Sequence, residues 1–411
     1  MAIQNVTRFS HSNDLKSISP QCLAQLLSPH TDFLKSRGLR VPESGTDAGN
    51  LDYTHLSNIL MAADLSVPGE LVNALHYIHE TAAPEVMEYL LKESERVGIY
   101  IDSSELTPAD LAVRLWLAGG HVLEHRYGER FLIKPCASIY YQEKRSYIST
   151  FREPCPSLVR AFEGDLDEQF DRTKRGRGCR VYVYTRTDGI WFLVWHGGTY
   201  RREGCIVHGE SSCVCYRPEL YDMLVYQPTA RELRINAGTH EDRQIYRKLF
   251  GRHFFGDDNH FPGTAIYTLE PLRTDGKRAL VCSDVVGMEL VTLRRIEFVV
   301  GGMFRLTETW EADDLLAAMN GAVNIPHNSR LVEGGFSIKF SDSKIPRDVA
   351  LRPSNMIYYQ RDSDRVMVEP WLRLRGFARN GHLLLVFLLG FVYCWLQDID
   401  AVLSCLPDGI T

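Results

Sequence analysis

The sequence predicts an α+β protein, and three observations carry that expectation. The first 150 residues read as short amphipathic helices with capping residues at their starts. The middle stretch changes to the alternating period of β-strands. A third, smaller stretch mixes one short helix, one strand and one longer helix. At about 150 residues per domain, 411 residues suit two to three domains. The boundaries fall as a helical domain over 1–150, a β-rich central domain over 151–310, a small mixed α/β region over 311–380, and an apolar C-terminal tail over 381–411.

The first helix opens at Ser19-Pro20, where an N-cap residue precedes Pro at the first helical position; Leu23, Leu26 and Leu27 form its apolar stripe. A short helix with Phe33 and Leu34 stops at Gly38. Val67-Pro68 opens the next, with Leu71, Leu75 and Ile78 at helical spacing. Pro84 opens a fourth that runs to Gly98, and Thr107-Pro108 a fifth that ends at Gly119-Gly120. The period then changes. Arg180–Thr185 and Ile190–His196, joined by Thr187-Asp188-Gly189, read as a β-hairpin. Further strands are expected at Cys213–Tyr216, Asp222–Tyr226, Glu232–Asn236, Ala265–Leu269, Leu280–Cys282, Leu290–Leu293 and Ile296–Val300. A helix over Glu241–Phe250, capped by Gly251, interrupts them. In the third region a helix is expected at Ala312–Met319, a strand at Gly335–Phe340, and a helix over Asp362–Phe377 broken at Pro370. The charged, Pro-containing stretch Glu153–Gly178 reads as the domain junction.

Composition excludes several classes. The hydrophobic fraction is 45% and the aromatic fraction 10%, too high for a disordered chain. The net charge of -6 is not that of a globally basic protein. That figure averages unlike parts: residues 1–150 hold 13 basic and 18 acidic residues, residues 151–310 hold 23 and 22, and residues 311–411 hold 10 and 12. Arginines and aromatics therefore concentrate in the middle. Met1–Ser10 has no apolar core, so no secretory signal is read there, and ten scattered Cys suit reduced thiols in the cytoplasm. Leu383–Leu396 is an uncharged apolar run, shorter than the about 20 residues a spanning helix needs. It reads first as a buried or partner-covered segment, then as a membrane contact or a non-native tail.

Five groups of residues could carry chemistry. The loop Arg172–Arg180 holds Arg172, Lys174, Arg175, Arg177 and Arg180 around two Gly, and leads into a hairpin bearing Tyr182, Tyr184, Trp191, Phe192 and Trp195. Guanidinium forks and loop amides suit phosphates, and aromatics suit base stacking, as on sheet-type readers of single strands; the alternative is a solvated charge run beside a sheet core. Cys205, His208, Cys213 and Cys215 have ligand types for a structural zinc, although buried or incidental thiols fit the spacing better. His76 and His79, followed by Glu80, could share a metal or simply flank the core. Asp222 and Glu232, with Arg234, follow an acid, strand, E-x-basic layout that could hold a catalytic divalent metal in a nuclease or phosphodiesterase. Arg252, His253, Asp257, Asp258 and His260 crowd Phe250–Pro262, where an active site could form if His196, His253 and Asp257 converged; turn chemistry explains the same residues.

Walker A, strand-linked G-x-G-x-x-G, G-x-S-x-G and paired C-x-x-C signatures are absent. The leading expectation is a cytosolic, non-enzymatic binding protein with no cofactor. Its central sheet and Arg-rich loop would contact nucleic acid, and its acidic helical domain would dock a protein partner. The alternatives are a metal-dependent nuclease, or an assembly subunit with no nucleic-acid role.

Overall fold

The computed structural model describes residues 15–42, 51–61, 66–102, 106–132, 136–144, 150–207, 209–263, 265–301, 305–321, 323–353 and 355–378. His208 and the Leu383–Leu396 segment lie outside them. The chain divides into two compact units, one of Met1–Leu132 with Thr199–Pro218, the other of Ile133–Gly198 with Glu219–Thr411.

The first unit holds seven helices among the described residues: α1 (Pro20–Leu27), α2 (Thr31–Ser36), α3 (Tyr53–Met61), α4 (Gly69–Thr81), α5 (Met87–Arg96), α6 (Pro108–Gly119) and α7 (His121–Gly128). The caps read from the sequence close two of them. Ser19 Oγ accepts from Cys22 N–H, and Thr107 Oγ1 accepts from Asp110 N–H at 3.1 Å. Asp110 is itself buried, and its carboxylate accepts the Ser19 N–H at 2.7 Å. One carboxylate thus joins the start of α1 to the first turn of α6. The apolar stripes meet behind it: Leu23, Leu27, Leu71, Leu75, Leu111 and Leu115 are all buried in one core. The unit also includes a two-stranded hairpin, β4 (Arg201–Val207) and β5 (Glu210–Tyr216).

The second unit is built on a ten-stranded antiparallel sheet in the order β2-β3-β6-β7-β1-β12-β11-β10-β8-β9. Its strands are β1 (Cys136–Gln142), β2 (Arg180–Arg186), β3 (Gly189–Gly197), β6 (Glu219–Gln227), β7 (Glu232–Asn236), β8 (Met288–Val300), β9 (Thr307–Glu311), β10 (Ser329–Phe340), β11 (Arg347–Arg352) and β12 (Met356–Tyr359). Its helices are α8 (Pro156–Arg172), α9 (His240–Phe255), α10 (Glu270–Thr274), α11 (Leu315–Ala318) and α12 (Arg365–Leu374). The architecture is α+β, as the sequence predicts. The sheet runs across both positions, 150 and 310, at which the sequence places boundaries.

Two cores form on this sheet. Phe162, Leu166 and Phe170 of α8 and Tyr246, Phe250 and Phe254 of α9 pack on Phe192, Val194, Leu224, Leu233, Ile235 and Tyr141. Val368, Trp371 and Leu372 of α12 pack with Phe336, Ile338, Leu351, Ile357 and Tyr140. Adjacent strand residues point to opposite faces, so Tyr140 and Tyr141 place the two cores on opposite sides of β1.

Several elements differ from expectation. The expected junction Glu153–Gly178 contains α8, which supplies core side chains. Helix α9 does not stop at Gly251. It continues to Phe255 because Phe254 and Phe255 bury there, and ends at Gly256 in the left-handed conformation, φ 78°. Gly251 serves a different need, since a Cβ there would lie 2.5 Å from the Asp257 carbonyl oxygen of the returning loop. Ala265–Leu269 makes only a single bridge, Tyr267 to Ala378. Leu280 ends a 3₁₀ turn over Gly276–Leu280, and the two strands expected over 290–300 are one, β8.

Gly189 closes the β2–β3 hairpin at φ 143°, where a Cβ would lie 2.6 Å from the Tyr226 carbonyl oxygen on the neighbouring strand. Gly189→Ala is therefore expected to destabilise the second unit by about 2 kcal/mol or more. A urea titration followed by tryptophan fluorescence measures it, and an unchanged midpoint would contradict this account of the turn.

Candidate functional site

The Arg172–Arg180 loop leaves the C-terminus of α8 and enters β2. Several of its amides, and that of Val181 just beyond it, are already occupied. Gly178 and Cys179 N–H both donate to Asp167 Oδ1, at 2.9 and 2.7 Å, and Val181 N–H donates to Glu163 Oε1 at 2.7 Å. Helix α8 thus presents its own carboxylates where a phosphate was expected. Arg175 is also spent internally. Its guanidinium pairs with Asp242 and lies 4.9 Å from the centre of the Phe170 ring, and its side chain is only 10% exposed. Arg177 pairs with Asp171 at 3.3 Å and Arg172 with Glu168 at 3.8 Å, in both cases on the surface.

The hairpin aromatics divide along the strands: Tyr182, Tyr184, Trp191 and Trp195 share one face, and Phe192 takes the other. Tyr184 and Trp191, expected to stack on bases, are buried, which removes them from any such contact. Trp191 Nε1 donates to Asp188 Oδ1 at 3.0 Å, and the guanidiniums of Arg234 and Arg186 lie 4.9 and 5.1 Å from its ring centre. Tyr182, Trp195 and Tyr221 are half-buried and form a row across β2, β3 and β6. The Tyr182 and Trp195 rings are 6.4 Å apart at 22°, and Trp195 and Tyr221 are 6.3 Å apart at 7°. Exposed Arg180 lies 5.4 Å from the Trp195 ring centre. Tyr221 was not singled out from the sequence, because only the pairing of Trp195 with both Arg180 and Tyr221 assembles the row.

The catalytic candidates do not converge as expected. His196 meets neither His253 nor Asp257. It is buried, stacked 4.4 Å from Phe170, and its Nε2 lies 3.0 Å from Asp222 Oδ2, which also accepts from the Tyr246 hydroxyl at 2.8 Å. His253 Nε2 is 2.9 Å from Asp165, and Asp257 pairs with Lys144 at 2.9 Å. The Phe250–Pro262 segment is therefore a helix end and return loop, fastened by Arg252 to Asp258 and by His260 stacked on Phe255 at 3.9 Å. Asp222 and Glu232 stand on opposite faces. Leu224 pairs with Ile235 in register, so Asp222 shares the α8–α9 side with Leu233 and Ile235, while Glu232 and Arg234 point to the other. They cannot share one metal ion, which overturns the two-carboxylate nuclease arrangement.

On that other side Glu232, Arg234, Arg365 and Glu369 form a buried charged centre. Arg234 pairs with Asp362 and Arg365 with Asp188; Arg373 lies 3.7 Å from Glu369, whose other oxygen accepts from the Tyr140 hydroxyl at 2.9 Å. Burial and the neighbouring Glu369 charge push the Glu232 carboxyl up to about 8. Burial likewise holds the Tyr140 and Tyr267 hydroxyls neutral, well above the ordinary tyrosine range. The E-x-R motif read as a catalytic pair is part of this internal network.

The thiol cluster does not assemble either. Opposed residues of an antiparallel pair share a face; Cys205 opposes Ser212, whereas Cys213 opposes Gly204 and Cys215 opposes Arg202. Cys205 therefore lies on the face opposite Cys213 and Cys215, and all three are free thiols. His76 contacts Tyr77 and Tyr127 edge to face. Among the described residues no three His, Cys, Asp or Glu side chains are grouped to hold a metal ion, and no helix is long and apolar enough to cross a membrane.

Two consequences can be measured. Glu232 binds its proton more tightly in the folded than in the unfolded chain, where 4.5 is ordinary, so stability falls as pH rises from about 5 to about 8, by at most ~1.4 kcal/mol per unit. Glu232→Gln should remove that slope and be more stable than the wild type at pH 8, with the advantage vanishing near pH 5; parallel pH profiles in urea titrations would refute this. Asp222→Ala strands the His196 ring and the Tyr246 hydroxyl, and should cost about 3–5 kcal/mol by the same assay. No protein-family model matches the chain, and no curated protein sequence matches it.

Proposed function

We propose that this chain binds single-stranded nucleic acid on the outer surface of strands β2, β3 and β6. The observation that carries the reading is the near-parallel row Tyr182, Trp195 and Tyr221 with Arg180 over its central ring. Unpaired bases stack on such rings whatever their identity, and cations beside them meet the sugar–phosphate chain. Exposed Arg172, Lys174 and Arg177 at the same end of β2 supply further positive charge. Because Arg172 and Arg177 pair loosely with surface carboxylates of α8, each can exchange a screened partner for a phosphate at small cost. Arg175 has no such freedom.

The reading is of recognition, not cleavage, since the carboxylates proposed for metal chemistry stand on opposite faces. Fluorescence anisotropy of a labelled oligothymidine over a salt series tests it. Trp195→Ala should weaken binding by about 1–3 kcal/mol, roughly 5- to 150-fold, while Trp195→Phe retains most of the affinity. Arg172→Glu with Arg177→Glu should flatten the slope of log affinity against log salt by about one to two. Equal affinity for wild type and Trp195→Ala, with both folded, would end the proposal.

A further inference from the structure

At the opposite end of the sheet, β10, β8 and β9 enclose a recess of about 460 Å3 lined by Val299, Gly301, Arg305, Thr307, Asn328 and Arg330. Its floor is one cross-strand row. Arg330 pairs with Val299 in register, and Val299 with Thr307, so the three side chains share a face. That face is turned away from the core, because the neighbouring Phe298 and Leu331 are the buried residues. Arg305 enters β9 from a left-handed backbone, φ 47°, unusual for a residue with a side chain.

Charge distinguishes this corner from the rest of the sheet. Arg295 pairs with Glu297 at 3.1 Å, and Arg352 pairs with Glu333 at 2.6 Å. Those acids are thereby committed. Arg305 and Arg330 are exposed, line one recess, and have no acidic partner among the described residues. Two guanidiniums at one recess repel each other until an anion lies between them. A hydroxyl and a carboxamide, from Thr307 and Asn328, complete a donor set of the kind that tetrahedral oxyanions accept.

We infer that this recess is a phosphoryl-binding site, taking free phosphate or the terminal phosphate of a larger molecule. The inference stands apart from the aromatic row, which lies at the other end of the strand order. Isothermal titration calorimetry of the full chain with inorganic phosphate at low ionic strength tests it. Saturable binding is expected, weakened at least tenfold in the double variant Arg305→Glu/Arg330→Glu. Lys277→Glu/Lys344→Glu, also at exposed positions, changes the net charge equally and should bind as the wild type does. A second arm compares 5′-phosphorylated with 5′-hydroxyl oligothymidine. Preference for the phosphorylated strand, lost in the arginine variant, identifies a terminal phosphate as the source; equal binding of both strands, with phosphate still saturable, identifies the free anion. Absence of saturable phosphate binding, or equal loss in the two double variants, would overturn the assignment.

Discussion

The second unit depends on the alternation of a single short strand. Strand β1 lies between β7 and β12, near the middle of the sheet, and carries Tyr140 and Tyr141 side by side. The pleat sends Tyr141 into the core made by α8 and α9, and Tyr140 into the core that includes α12. One sheet thereby supports two cores on opposite faces, and β1 contributes a tyrosine to each. A slip of one residue would exchange the two tyrosines and invert every contact on both sides. Register is held from both edges of β1: Tyr140 opposes Arg234 on β7, and Ser138 opposes Ile357 on β12.

The alternation also explains why the charged motifs of β6 and β7 are internal. Asp222 faces the α8–α9 side, and Glu232 and Arg234 face the other, and at these positions both sides are covered, so all three are buried. Burying a charge is costly unless it is paired and hydrogen-bonded. Each has its remedy: His196 and Tyr246 for Asp222, Asp362 for Arg234, and retention of a proton for Glu232. The perturbed carboxyl marks a structural network here. Perturbation by burial alone does not make a catalytic group, which needs access to a reacting atom.

Much of the local structure was legible in the sequence. Ser19-Pro20 and Thr107-Pro108 announce helix starts through capping hydrogen bonds that the chain makes with its own neighbours, and the β2–β3 hairpin follows from alternation and a turn. What was not legible depends on partners remote in sequence. Strands β1, β11 and β12 escaped because short runs such as Cys136–Gln142 acquire meaning only between two others. The stop at Gly251 was misread because a glycine that ends a helix and a glycine that admits a crossing loop look alike in one dimension. The Cys cluster had plausible ligands at plausible spacing, and register alone placed Cys205 on the wrong face.

The arginines teach the same distinction for the surface. Density along the chain made Arg172–Arg180 look like one positive patch. In the folded chain Arg175 pairs with Asp242, and the Gly178 and Cys179 amides donate to Asp167, so fewer groups of that loop are open to a ligand than its composition suggests. The recognition proposed for this sheet would rest on groups whose pairing is loose or missing. Arg172 and Arg177, held only by surface carboxylates, are one such group, and the Arg305 and Arg330 pair is another. The first sits in the stretch that sequence composition emphasised. The second consists of two isolated arginines, 25 positions apart in the sequence numbering, that strand pairing alone brings to one recess. A cation's value to a ligand is set by what it has not already bound, and that is a property of the fold.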